Sequence, residues 1–248
     1  MDIALRDDFT AKWKRYFGGT GLPITFYYTD DASKAEQVKA GSAHRCIVAA
    51  IQAVRKGKSL SFQSSSIGCA GGKRYLGFTQ EIRSDINYFL SCGIPGKLEG
   101  ERYKKSPELA ERSFKHLPPF VAPGRCIVFK RWDMLDAGDD PQVVIFFVAP
   151  DALSGLFTLA NFDQEKPDGV ISPFGSGCSA IVHSPFLQRE SDQPKAVIGM
   201  FDVSARPYVG KYELTFSAPI SKFLTMLNNM DESFLITKTW QQVQKRLD

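Results

Sequence analysis

The chain has no stretch of about 20 apolar residues, the length a helix needs to cross a bilayer. Its longest apolar run is residues 143–150, and shorter ones such as 126–129 fall further below that length. The N-terminus has no basic segment followed by an apolar one, so no secretory leader is expected. These absences predict a cytoplasmic protein with no membrane partner. No Pro/Ser-rich linker, single-charge run or 20–50-residue repeat is visible. One domain is therefore expected over residues 1–248. There is no CxxC pair among the five cysteines, so the compact zinc patterns are excluded. In a reducing compartment such cysteines serve as core residues, metal ligands or reactive thiols rather than disulfides. The three histidines, His44, His116 and His183, are far apart and form no HExxH.

Other signatures fail on single residues. Gly71-Gly72-Lys73 suggests a phosphate loop, but position 67 is Ile where the first glycine belongs, and Arg74 stands where Ser or Thr belongs. No GxGxxG follows a strand, and Gly175-Ser176-Gly177 lacks the spacing of a nucleophile elbow. A net charge of +4 without a basic stripe or paired aromatics argues against nucleic acid as a partner.

What is present is an ordinary globular composition, 43% hydrophobic and 23% charged, with 19 Phe. The apolar spacing predicts helices over residues 3–17, 43–56 (capped by Ser42), 79–90, 108–117, 151–162 and 232–247. Another helix opens after Pro219, and a further one runs from about 177 to 182. Strands are expected over 23–29, 59–63, 126–132, 142–148, 170–171, 196–201 and 212–216. Residues 64–74 and 92–100 read as loops. Strands and helices alternate without strict βαβ units, which predicts an α+β fold with a mixed or mainly antiparallel sheet surrounded by helices.

The cysteines then divide. Cys126 opens an apolar strand and reads as core. Cys46 lies near a helix start, where the dipole favours a thiolate. Cys69 sits in a loop of Gly68, Ala70, Gly71 and Gly72, and Cys178 follows Gly175-Ser176-Gly177 at a strand-to-helix transition. Small residues let backbone amides approach a bound group closely. Cys92 follows a helix C-terminus, where a thiolate is disfavoured unless a metal compensates. The expected site is thus a metal ion or iron–sulfur cluster held by Cys46, Cys69 and Cys178, with Cys92 or another group as fourth ligand and a redox or cofactor role. The alternative is a binding module for a small anionic ligand or cofactor, using amides at Gly71, Gly72 and Gly177 and charge from Lys73 and Arg74. A thiol-based enzyme is a third reading, without a histidine base nearby in sequence. The loop 96–105, with Lys73, Arg74 and Arg125, reads as a solvated segment or a basic lip. Arg206 is expected to pair with an acid or face a cleft. Trp13, Trp132 and Trp240 read as core or interface.

These residues carry a resemblance. Arg45-Cys46-Ile47 leading to Val54-Arg55-Lys56-Gly57, Cys69-Ala70-Gly71-Gly72 with Tyr75-Leu76-Gly77-Phe78, and Gly177-Cys178-Ser179 resemble the uncharacterised domain-of-unknown-function 169 family. The late segments Gly199-Met200-Phe201-Asp202, Ser204-Ala205-Arg206 and Leu214-Thr215-Phe216-Ser217 fit the same likeness. The resemblance implies a shared site built on Cys46, Cys69 and Cys178, and implies no reaction. Cys92 and its loop match none of these motifs.

Overall fold

Strand β5 (Val143–Val148), an unbroken run of Val, Ile and Phe, lies mid-sheet, and β4 (Cys126–Arg131) opens with the apolar run Cys-Ile-Val-Phe. Such runs form when both faces of a strand are covered. β5 shows how: Val143, Ile145 and Phe147 enter one core, and Val144, Phe146 and Val148 enter the other. The computed structural model of the chain describes residues 1–39, 41, 46–118 and 120–247. The predicted cap Ser42, together with His44 and Arg45, lies outside the described residues.

The remaining strands are β1 (Ile24–Thr29), β2 (Glu36–Gln37), β3 (Leu60–Gln63), β6 (Val170–Ile171), β7 (Ala196–Gly199) and β8 (Leu214–Pro219). All eight form one mixed sheet in the order β2-β3-β4-β1-β5-β8-β7-β6. The pairs from β3 to β7 are antiparallel, while the edge strands β2 and β6 run parallel to β3 and β7. The fold class is α+β, as expected.

One face is covered by α1 (Ile3–Phe17), α7 (Pro150–Asn161), α9 (Ile220–Asn229) and α10 (Lys238–Gln244). Its core is aromatic. Trp13 stacks on Phe17 with ring centres 4.2 Å apart, and Phe9 meets Trp132, Phe146 and Phe223. Trp240 packs on Phe17 and donates its indole N–H to the Tyr16 carbonyl at 2.8 Å. All three tryptophans are thus core residues. The other face carries α2 (Ile47–Ala50), α3 (Gln52–Arg55), α4 (Ala70–Tyr75) and a π-helix (Ser179–His183) running into α8 (Ser184–Leu187). Two further helices, α5 (Ile86–Phe89) and α6 (Pro107–Phe114), complete the chain, and Pro107 opens α6 after its Ser106 cap.

Several expected boundaries move. Over the described part of residues 43–56 the helix divides into α2 and α3 at Ile51. Residues 64–74 contain a short 3-10 turn and α4 rather than a loop. Residues 79–90 contain only α5. There the Thr79 hydroxyl accepts the Glu81 N–H at 3.1 Å, the Gln80 side chain donates to the Phe120 carbonyl, and Arg83 clasps Asp85. These local and tertiary bonds replace the helical ladder. The last helix begins at Lys238, because Ser233 and Thr237 cap two successive short turns.

Candidate functional site

The helical face gathers three chain segments that are far apart in sequence. Cys46 is the N-cap of α2 and Cys69 the N-cap of α4, each with extended backbone. Cys178 stands immediately before the π-helix. All three cysteines with small or apolar neighbours therefore sit at helix starts, where free N–H groups face outward. For Cys69 this is a direct contact, since its Sγ accepts the Gly72 N–H at 3.4 Å. For Cys178 the preceding Ser176 does the capping, and its hydroxyl accepts the Ser179 N–H at 3.3 Å.

Glycine makes the convergence possible. A Cβ on Gly72 would lie 3.2 Å from Ile67, 3.4 Å from the Cys69 Cβ and 3.7 Å from Ile47. A Cβ on Gly177 would lie 2.9 Å from the Ala205 Cβ, 3.0 Å from Val48 and 3.4 Å from the Met200 methyl. So the first turn of α2 touches both the Cys69 segment and the Cys178 segment. Gly71 adds the third close approach, with the Cys69 Sγ 3.8 Å from its Cβ position.

The electrostatics record the same neighbourhood. Burial pushes the Cys178 thiol well up, and Cys46, Cys69 and Asp202 each push it further. Cys178 is buried, Cys46 half-buried and Cys69 exposed, so the group runs from the core to the surface. Asp202 holds the segment from the other side. One carboxylate oxygen accepts the Gly177 N–H at 2.9 Å, and the other accepts the Ser204 N–H and hydroxyl at 3.0 and 2.8 Å. Asp202 follows Met200, a buried non-glycine residue at φ 70°, where side chains are normally avoided. Tyr75 joins from the end of α4. Burial raises its phenol, Arg74 opposes the shift, and Cys178 and Asp202 add to it.

Beyond Tyr75 lies His183, the last residue of the π-helix. Its ring packs against Tyr75 and Phe120, and Nε2–H donates to the Pro118 carbonyl at 3.2 Å. Burial lowers its pKa, and the nearby Arg74 charge lowers it further. A π-turn in this position is a known feature of functional sites, because the extra residue re-aims side chains.

Other expected residues are placed apart. Cys92 is exposed beside a separate cleft formed by residues 94–100 and Arg102, and its thiol points to its own loop, donating to the Gly93 carbonyl at 3.5 Å. Cys126 is buried, as expected. Lys73 and Arg74 lie in the last turn of α4, one turn after Cys69, and Arg74 donates to the Gln80 carbonyl at 2.7 Å. Arg125 is bound to Asp30 instead of forming a lip with them. Among the described residues Arg206 forms no ion pair; its guanidinium donates to the carbonyls of Gly210, Lys211 and Glu213, and its charge helps lower the Glu213 carboxyl. Tyr75, Asp202, Met200 and His183 are the residues that sequence reasoning passed over. Tyr75, Met200 and Asp202 had one signal, lying in segments of the family resemblance, and His183 had none.

Among the described residues, no three His, Cys, Asp or Glu side chains stand close enough to hold a metal ion as they are. Nor is any helix there long and apolar enough to cross a membrane. Comparison with known proteins gives one result. A family model for DUF169, a domain of unknown function described as "Uncharacterised ArCR", matches residues 16–229. No curated protein and no solved structure matches the chain.

Proposed function

The chain belongs to the domain-of-unknown-function 169 family, and from that premise we propose that Cys46, Cys69 and Cys178 form a site for a thiophilic metal ion or an iron–sulfur cluster. One observation carries the reading: three cysteines, 23 or more residues apart in sequence, stand at three helix starts, with Cys46 and Cys69 each near enough to act on Cys178. Burial first, and then the neighbouring Cys46, Cys69 and the Asp202 carboxylate, make a Cys178 thiolate costly. A bound cation reverses that cost, because a coordinating thiol loses its proton to the metal. A shared metal would require the three sulfurs to stand closer than they do here. The chemistry would be that of the bound group, and the helix N–H donors would spread the charge on sulfur.

The same geometry argues against the two other readings. An anion site needs free amides in the glycine loops, yet the Gly177 N–H is taken by Asp202 and the Gly72 N–H by Cys69. Of the two candidate nucleophiles, Cys69 and Cys178, the second is pushed away from the ready thiolate it would need. The test is anaerobic titration with Co²⁺, whose thiolate complexes are coloured, alongside metal analysis of the protein as purified. Cys69→Ser and Cys178→Ser are expected to abolish the thiolate band, and Cys92→Ser and Cys126→Ser to preserve it. A protein that is purified metal-free and gives no such band with added Co²⁺ would overturn the proposal.

A further inference from the structure

A second feature of the helical face involves none of the cysteines. Between α3 and the end of β4 lies an open cleft of about 550 Å³. Its charged wall residues are Arg55, Lys56 and Arg131, and among the described residues no acidic one lines it. Leu22 and Phe147 supply apolar surface, and Gln52 adds one amide.

The two guanidinium groups are held in place from behind. Arg55 donates to both oxygens of Glu213, at 2.9 and 2.5 Å, and to the Gln52 amide oxygen at 2.8 Å. Its guanidinium carbon sits 4.5 Å from the centre of the Phe147 ring. Arg131 donates to both oxygens of Asp133, at 2.6 and 2.8 Å, and to the Arg55 carbonyl at 3.3 Å. It also lies over Gly57, where φ is +95° and a Cβ would stand 3.7 Å from the guanidinium. Glu213 and Asp133 are not part of the cleft wall, so they orient the arginines without occupying the cleft. Lys56 is exposed and makes no ion pair among the described residues. Counting both carboxylates, the group of five keeps one positive charge, and that charge faces the cleft.

We propose that this cleft binds a small molecule through a phosphoryl group. Each of these arginines spends one guanidinium edge on its carboxylate and keeps N–H donors unused, and such forks match phosphate oxygens. The lysine adds a mobile point charge, the other usual phosphate partner. The cleft is larger than a single phosphate needs, and its apolar part at Leu22 and Phe147 suits a carbon skeleton attached to the phosphoryl group. The site is independent of the cysteines, so its fate does not depend on the metal reading.

The probe is phenyl phosphate, titrated calorimetrically against the full chain at low and moderate salt, with benzoate as the carboxylate counterpart. Phenyl phosphate is expected to saturate one site and to weaken with salt. Loss of a hydrogen-bonded charge predicts that Lys56→Gln weakens it about tenfold, and Arg131→Gln by at least as much. Lys245→Gln, on the far face of the molecule, should leave affinity unchanged. Arg131→Gln also removes the tie to Asp133, so Lys56→Gln, at an exposed side chain, is the decisive variant. Absence of saturable binding, or wild-type affinity in Lys56→Gln, would overturn the proposal. Benzoate binding as tightly as phenyl phosphate would overturn the phosphoryl assignment.

Discussion

Gly177→Ala tests the convergence of the cysteine segments directly. The new Cβ would stand 2.9 Å from the Ala205 Cβ and 3.0 Å from Val48, both on short, stiff side chains. Neither can swing aside, so the backbone must shift, and overpacking of this kind costs about 1–3 kcal/mol. Gly177 is not in the left-handed region, so alanine also restricts the unfolded chain and returns about 0.4–1 kcal/mol. The net expectation is a loss of about 1–2 kcal/mol. For a chain of this size each kcal/mol moves Tm by about 2–4 °C, so the melt should fall by about 2–8 °C. Gly21→Ala is the control. Its Cβ would meet nothing within 4 Å and its backbone is likewise not left-handed, so the same entropic effect should leave it neutral or raise Tm slightly. The second readout is alkylation of Cys178, which should quicken in Gly177→Ala as the segment lifts from α2. If Gly177→Ala melts at or above the wild type while Gly21→Ala behaves as stated, the close approach of Cys178 to α2 is wrong.

Three further outcomes follow from the same coordinates. Asp202→Asn keeps an oxygen for the Gly177 N–H but removes a charge near Cys178, so thiolate absorbance should show Cys178 ionising at lower pH than in the wild type; an unchanged profile would show that the carboxylate does not act on the thiol. Cys178 and His183 bound the pH range of stability from opposite sides. The Cys178 pKa is raised on folding, so its contribution is complete below the unfolded thiol value near about 8.5 and is lost as pH climbs through the folded value. The His183 pKa is lowered, so its contribution is present above about 6.5 and is lost as pH falls through the folded value. Urea melts of Cys178→Ala and His183→Gln should show flatter alkaline and acid limbs respectively, and limbs matching the wild type would count against both assignments. Finally, Asp139→Ala leaves the buried Lys130 with only the exposed Asp136 at 3.0 Å and removes the 2.5 Å bond from the Tyr27 hydroxyl. Breaking a buried pair costs about 3–5 kcal/mol, and the surviving Asp136 contact places this one near about 3; a loss under 1 kcal/mol by urea melt would show that the network adds little.

How much of this was legible beforehand depended on the range of the forces involved. α1, β4, β5, α7 and α9 follow from local periodicity, because each buries its own apolar face and each falls within a residue or two of expectation. The span 79–90 was misjudged because its fate lies in bonds from Gln80 to Phe120 and from Arg74 back to Gln80, contacts that periodicity does not encode. The strand β2 is two residues long and exists only through pairing with β3. The same division runs through the site. Small residues around Cys69 and Cys178 are a local signal, because close backbone approach demands them, and Gly72 and Gly177 are where such approaches occur. Asp202 and Tyr75 carry no such local mark. Their importance arises only when β7 delivers the 200–205 turn to Gly177 and α4 delivers Tyr75 beside Cys178. The phosphoryl cleft illustrates the limit further. Arg55, Lys56 and Arg131 look like ordinary surface cations until Glu213, far along the chain from Arg55, and Asp133, two residues after Arg131, hold two of them and leave the third facing the same cleft. A charge in sequence says what can be bound, and only the partner behind it says in which direction it is presented.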